Sequence, residues 1–265
     1  MKIAAIIPAR YGSSRFPGKP LSKLHGRYLI QHVVDCVERA RSQGFIDEIL
    51  VATDDPRIAG AAEDAGARAV MTRADHPTGT DRLAEAVDHT DAEVVVNVQG
   101  DEPLMPPGMI RDLLAPFRAD RALRMGSLKT KLPGADVLRD PNLGKVVCDS
   151  EDFAVTFSRY PLPEVPGNVR CFNQGRVEEM AREGYLEVFR TVGIYAYRRD
   201  FLKEFANLKP TPFEQQERLE QLRALEHGVA VKVPTTAYFS IEVNTPADLA
   251  IAEAAMAEHR SAPGT

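Results

Sequence analysis

The sequence predicts an α/β fold on a mostly parallel sheet, and three observations predict it. Short apolar runs alternate with segments of helical spacing through the first hundred or so residues. The run EVVVNVQ (Glu93 to Gln99) is continuously apolar at its centre, as a parallel strand covered on both faces must be. From Met125 onward strand-like runs follow one another with few helical crossovers, which reads as a β-rich insertion lobe at approximately residues 125–200 within one domain of 265 residues.

In order, Lys2 to Ile7 reads as a buried strand. Leu29, Ile30, Val33, Val34, Val37 and Ala40 then recur at helical spacing until Gly44 ends the run. Glu48 to Thr53 (EILVAT) is a second strand, Pro56 opens a short helix that Gly66 stops, and Arg68 to Thr72 is a third strand. Asp81 to His89 is helical and leads into EVVVNVQ. The middle holds strand-like runs at Met125 to Leu132, Lys145 to Cys148, Phe153 to Phe157 and Val192 to Tyr197. YPLPEVPGNV (Tyr160 to Val169) reads as a surface loop, since each Pro removes a ladder donor. Glu214 to Glu226 and Pro246 to His259 are helical, the second opened by Asn244-Thr245-Pro246.

Composition narrows the function classes. A hydrophobic content of 44% supplies a real core, and a net charge of −5 gives no footprint for a nucleic-acid partner. Any phosphate binding must be local. Cys36, Cys148 and Cys171 are odd in number and widely spaced, which fits neither a disulfide framework nor paired metal motifs. The first apolar run is too short for a signal or a membrane span, so the expectation is a cytoplasmic protein without a membrane partner.

Three clusters follow strands, where ligands of open parallel sheets bind. PARYGSSRFPGK carries Arg10, Arg15 and Lys19 among small residues that let backbone N–H groups approach phosphate oxygens; a solvated basic loop is the alternative. Its spacing matches neither a Walker loop nor G-x-G-x-x-G, which removes support for ATPase and dinucleotide readings. NVQGDEP places Asp101 and Glu102 at a strand end, either as a hard oxygen ligand for Mg²⁺ or as an ordinary acidic turn. TRADHPTGTDR either reads a base or is a helix N-terminus with Thr80 near the cap, and His76 within it reads as a structural hydrogen-bonding residue. Together the clusters match a nucleoside triphosphate with its metal.

IPARYGSSRFPGKPL, TRADHPTGTDR, VNVQGDEP, KVV, FSR, GIYAYR, LEQLRALEHG and NTPADL, in this order over nearly the whole chain, resemble the CMP-Kdo synthetases, the 3-deoxy-manno-octulosonate (Kdo) cytidylyltransferases. The resemblance implies a Rossmann-like, GT-A-like nucleotidyltransferase fold with an acceptor and dimerisation lobe, a homodimer, Mg²⁺ as cofactor, and CTP with a small acidic acceptor as substrates. It assigns Arg10, Ser14, Arg15 and Lys19 to the CTP phosphates, Pro8 and Ala9 to the nucleoside pocket, and Arg73 with Gly79 to the cytosine end. Gln99 faces both CTP and acceptor, while Arg159, Thr191, Tyr195, Glu220 and Gln221 stand at acceptor positions. Asp101 and Asn244 stand at the metal positions, and Lys19, Arg10 and Asp101 form the catalytic set.

Two positions depart from the family pattern. Thr191-Val192-Gly193 stands where the family has His-Leu-Gly, and Asn244 stands where it has the second metal-binding Asp, with Glu242 expected on the same side of a strand. These departures leave a small phosphonate such as phosphonoformate as an alternative acceptor. A CTP-binding regulator without activity is the alternative of another class.

Overall fold

The computed structural model describes residues 1–12, 16–132, 138, 140–160 and 187–261. It divides into two compact units, Met1–Arg111 with Tyr238–Thr265, and Asp112–Ala237.

The first unit is built on four parallel strands. β1 (Ile3–Ala9) is flanked by β4 (Glu48–Thr53) and β6 (Val94–Asn97), and β5 (Arg68–Met71) pairs β4. Ile6, Val51 and Val96 are fully buried, as strands covered on both faces require. Crossovers are α1 (Leu29–Ser42), α2 (Pro56–Asp64) and α3 (Gly79–Ala86). α2 is capped by Asp55, which accepts from the Arg57 backbone N–H. α3 is capped by Thr78, not Thr80: Thr78 accepts from the Asp81 N–H at 3.2 Å while Asp81 accepts from the Thr78 N–H at 3.1 Å. A two-residue hairpin joins β2 (Lys23–Leu24) to β3 (Arg27–Tyr28), with His25 and Gly26 both at positive φ. The C-terminal helix Pro246–Ser261 covers a small cluster in which Leu24, Leu29, Val243 and Ala252 are buried with Phe16 and Ile241 against them.

α4 (Pro107–Ala119) was not legible as a helix and carries Pro116 in its interior. In the second unit β7 (Met125–Lys131) pairs antiparallel with β10 (Val188–Arg198) and parallel with β11 (Val231–Lys232). β8 (Lys145–Cys148) pairs β10, and β9 (Ala154–Ser158) pairs β8, both antiparallel. α5 (Arg199–Asn207) follows β10 without a loop. The helical stretch expected over Glu214 to Glu226 is two helices, α6 (Pro212–Glu217) and α7 (Gln221–Glu226). Arg218, left-handed at φ 54°, ends the first, and the buried Arg223–Glu214 ion pair ties one to the other. Residues 161–169 of the Pro-rich stretch lie outside the described residues. Cys36 and Cys148 are buried thiols in no disulfide among the described residues, each pushed up to about 11 by burial; Cys171 lies outside the described residues.

Candidate active site

Strand order in the first unit is β6-β1-β4-β5, so the chain runs outward from β1 on one side and then returns to its other side. That reversal opens a crevice at the carboxyl ends of β1 and β6, where ligands of open α/β sheets bind. A cavity of about 240 Å³ lies there. Pro8, Ala9 and Arg10 line it from β1 and its loop, Lys19 and Pro20 from the following turn, Thr78, Gly79 and Arg82 from the start of α3, and Gln99, Gly100 and Asp101 from the end of β6. Gly100 is required for space: a Cβ there would lie 2.8 Å from the Pro8 carbonyl oxygen. Gly79 abuts the same proline, its missing Cβ 3.5 Å from Pro8 Cγ.

Lys19 heads a single 3-10 turn entered through Gly18, whose φ of 69° is left-handed. The Gly18 N–H donates to the Tyr11 carbonyl at 2.9 Å, closing the basic loop on itself. Lys19 Nζ then donates to Asp101 Oδ2 at 2.5 Å and to the Val243 carbonyl at 2.9 Å. The Val243 N–H in turn donates to the Asp101 carbonyl at 2.9 Å, which holds residue 244 beside the acidic turn. Residues 239–244 form no ladder strand; Val243 is buried while Glu242 is exposed and Asn244 half-buried. The other Asp101 oxygen, Oδ1, is buried and has no hydrogen-bond partner among the described residues.

In the cavity wall Arg82 is buried, donating to Thr72 Oγ1 at 2.5 Å and pairing with Asp54 at 3.4 Å. Asp54 also accepts the Tyr11 N–H at 3.2 Å, so α3 and the basic loop share one carboxylate. Arg57 stacks on Tyr11 with 4.2 Å from guanidinium carbon to ring centre. Arg73 is exposed, 3.5 Å from Asp75 and 3.9 Å from Glu85, and does not line the cavity. His76 is buried and hydrogen-bonded to Glu85. Burial pushes the Glu85 carboxyl up, but His76 and the Arg73 N–H outweigh it and hold the group below its ordinary value. Ser14 and Arg15 lie outside the described residues.

The candidate acceptor residues other than Gln99 belong to the second unit. Arg159 donates from Nε to the Glu217 carbonyl at 3.0 Å and from Nη1 to the Asn142 carbonyl at 2.8 Å. Its own carbonyl accepts from Lys145 Nζ at 2.6 Å, and Lys145 is fully buried, which pushes its ammonium below the ordinary lysine value. The Tyr195 hydroxyl donates to Gln221 Oε1 at 3.2 Å, and Gln221 Nε2 is buried without a partner among the described residues. Thr191 packs on Gly144, to whose carbonyl its N–H donates at 2.9 Å, and its buried Oγ1 has no such partner. Glu220 immediately precedes α7.

Comparison with known proteins gives this geometry a family. The cytidylyltransferase family model matches residues 4–233. The 3-deoxy-manno-octulosonate cytidylyltransferases of Geobacter metallireducens and Geobacter sulfurreducens are each 49% identical over 94% of this chain, covering 95% and 97% of their own lengths. The chain belongs to the 3-deoxy-manno-octulosonate cytidylyltransferase family. A solved CMP:2-keto-3-deoxy-manno-octonic acid synthetase complexed with CTP superimposes at a TM-score of 0.84 with 40% identity, over 98% of this chain and all of that one. A 4-diphosphocytidyl-2C-methyl-D-erythritol synthase from Anaerococcus prevotii, at 17% identity and a TM-score of 0.59, shares the fold. As a cytidylyltransferase the chain is a CTP-dependent nucleotidyltransferase of α/β fold. No helix among the described residues is long and apolar enough to cross a membrane.

The Mg²⁺ implied by the family resemblance fits the residues present. Asp101 Oδ1 is a hard oxygen without a partner among the described residues, and Asn244 directly follows Val243, whose N–H donates to the Asp101 carbonyl. No group of three or more His, Cys, Asp or Glu is placed to hold a metal among the described residues, so an ion here would take further oxygens from phosphate and water, as Mg²⁺ does. Sequence reasoning placed Pro8, Ala9, Arg10, Lys19, Gly79, Gln99 and Asp101, all of which line the cavity, and missed Pro20, Thr78, Arg82 and Gly100. The signal for Arg82 was present: an arginine one turn into a capped helix whose N-terminus faces the β1 loop.

Proposed function

We propose that this cytidylyltransferase transfers CMP from CTP to an oxygen of an acidic sugar acid, Kdo in the first instance, with Mg²⁺ required and pyrophosphate released. The observation that carries the reading is the convergence of Arg10 and Lys19 with the unpaired Asp101 Oδ1 in one cavity at the sheet's switch point. The relatives' names supply the acceptor.

Arg10 and Lys19 neutralise the triphosphate and receive the charge that accumulates on departing pyrophosphate. Ser14 and Arg15, in the same loop, are assigned to the phosphates on resemblance. Pro8, Ala9 and Gly79 provide an apolar, close-fitting wall for the nucleoside, and Gln99 orients the reacting end. Asp101 and Asn244 would hold Mg²⁺, which when bound neutralises the phosphates and favours the ionised form of the attacking oxygen. Arg159, Tyr195, Glu220 and Gln221 are assigned to the acceptor, Arg159 with its guanidinium fixed by two backbone carbonyls. The acceptor oxygen attacks the α-phosphorus directly, without a covalent enzyme intermediate. A homodimer is proposed on resemblance and is read by light scattering.

A second reading is favoured by Thr191 and Asn244: a shorter, more anionic acceptor such as phosphonoformate needs fewer hydroxyl-reading groups. Pyrophosphate release from CTP and Mg²⁺, with Kdo and phosphonoformate as separate acceptors, tests both. Release with Kdo alone supports the first reading, and release with phosphonoformate alone supports the second. Tight CTP binding with no release across a panel of acids would make the chain a regulator.

A further inference from the structure

The chain's own fold pairs Lys19 with Asp101. Their side chains are only 15% and 18% exposed, and the ammonium lies 2.5 Å from Oδ2 with the Val243 carbonyl as its second acceptor. The Asp101 carboxylate is therefore already neutralised by a cation of the chain itself. Position 244 contributes an amide rather than a second carboxylate. The nearby Asp248 carboxylate accepts from the Asn244 N–H, the Thr245 N–H and the Thr245 hydroxyl, committing it to the start of the C-terminal helix. Glu242 is exposed. A divalent cation approaching Asp101 Oδ1 meets a pair with no net charge and, beyond the carboxylate, an ammonium that repels it.

We infer that Lys19 is the resident counter-cation of Asp101 in the nucleotide-free protein, and that the divalent-cation site comes into being only when nucleotide phosphates draw Lys19 away. The inference rests on the cytidylyltransferase reading of this cavity. Lys19 then has two successive partners. Before CTP binds it closes Asp101; afterwards the triphosphate holds the ammonium and leaves both Asp101 oxygens open. A small hard cation that dehydrates reluctantly, and that binds through one or two carboxylates plus substrate phosphates, has no site in the first state and a complete one in the second.

The test measures Mn²⁺ binding to the full chain by electron paramagnetic resonance, with and without α,β-methylene-CTP, which cannot transfer CMP. Wild type without nucleotide is expected to bind no Mn²⁺ at about 0.1 mM, and to hold one protein-bound ion once the analogue is present. Lys19→Met is expected to gain nucleotide-free Mn²⁺ affinity by about tenfold or more, and the double variant with Asp101→Asn to lose that gain. Nucleotide-free wild type that binds Mn²⁺ at this concentration and loses it on Asp101→Asn overturns the inference, as does a folded Lys19→Met with no gain. The wild-type measurements decide the matter even where Lys19→Met does not fold. Calorimetry of the analogue separates the two levels: failure of the analogue to bind defeats the cytidylyltransferase reading, whereas analogue binding to a chain that already holds Mn²⁺ defeats only the resident counter-cation.

Discussion

Gly100→Ala perturbs the candidate site without altering any charged or hydrogen-bonding group. The added Cβ would stand 2.8 Å from the Pro8 carbonyl oxygen, with Ile7 Cγ2 at 3.7 Å and Ala9 Cβ at 3.8 Å, so only the backbone contact is intolerable. Reaching ordinary contact means that the ends of β1 and β6 part by roughly half an ångström. Neither end is free to do so: Pro8 is paired with Ala52 in the ladder, and the Val98 N–H donates to the Ile6 carbonyl at 3.2 Å. Overpacking of this kind costs about 1–3 kcal/mol, which in a protein of this size lowers the melting temperature by several degrees. The same shift moves Asp101 away from the Pro8 wall, and misplacement on this scale lowers turnover by about tenfold to a hundredfold. Pyrophosphate release at saturating CTP and thermal unfolding read the two effects. Gly60→Ala, inside α2 with no atom within 4 Å of where the new methyl would stand, is the control and should gain up to about 1 kcal/mol. Wild-type turnover and an unchanged melting temperature in Gly100→Ala would refute the close approach of these two strand ends.

Asp101→Ala should abolish the response of pyrophosphate release to added Mg²⁺, and an unaltered Mg²⁺ titration removes Asp101 as the metal anchor. Thr191→His restores the imidazole of the family pattern beside Gly144 and should raise kcat/KM for Kdo relative to phosphonoformate by about tenfold; no change in that ratio takes Thr191 out of acceptor choice. Asp55→Ala removes the cap of α2 and should cost about 1 kcal/mol at neutral pH. Arg57 holds the Asp55 carboxyl down to about 2 from 3.8, so this stabilisation is complete above the unfolded value and fades as pH falls from 3.8 toward 2. The gap in melting temperature between wild type and Asp55→Ala should therefore narrow over that interval, and a constant gap contradicts the ionised cap.

Elements whose signal is local and one-dimensional were legible. EILVAT is β4 and KVVC is β8 to the residue, because a run of apolar residues between turn signals has one buried solution. α4 was hidden by Pro116, which reads as a breaker although it lies only three residues before the helix ends at Ala119. α5 was hidden because it begins at Arg199 directly after β10 ends at Arg198, leaving no turn residues to mark the change of period. The break at Arg218 leaves no trace in apolar spacing, since Leu219 and Leu222 continue the helical rhythm across it. The cavity was legible because its chemistry lies in three short motifs after strands. What remained illegible is who pairs with whom: Lys19 and Asp101 are 82 residues apart, and Arg82 and Asp54 are 28 apart.

Those pairings change what the basic loop means. Counting charges along PARYGSSRFPGK suggests a site open to any anion, yet two of the three cations that line the cavity are already matched, Lys19 by Asp101 and Arg82 by Asp54. Arg10 is exposed. A single phosphate competes poorly with a carboxylate 2.5 Å from the ammonium, whereas on the proposed reading a triphosphate engages Arg10 first and presents further oxygens to Lys19. On the proposed reading, breaking the Lys19–Asp101 pair takes up part of the nucleotide's binding free energy, and the return is an acidic group set free where the proposed reaction needs one. Discrimination against short anions thus follows from the pairing itself, in a chain whose net charge of −5 gives no long-range attraction to them.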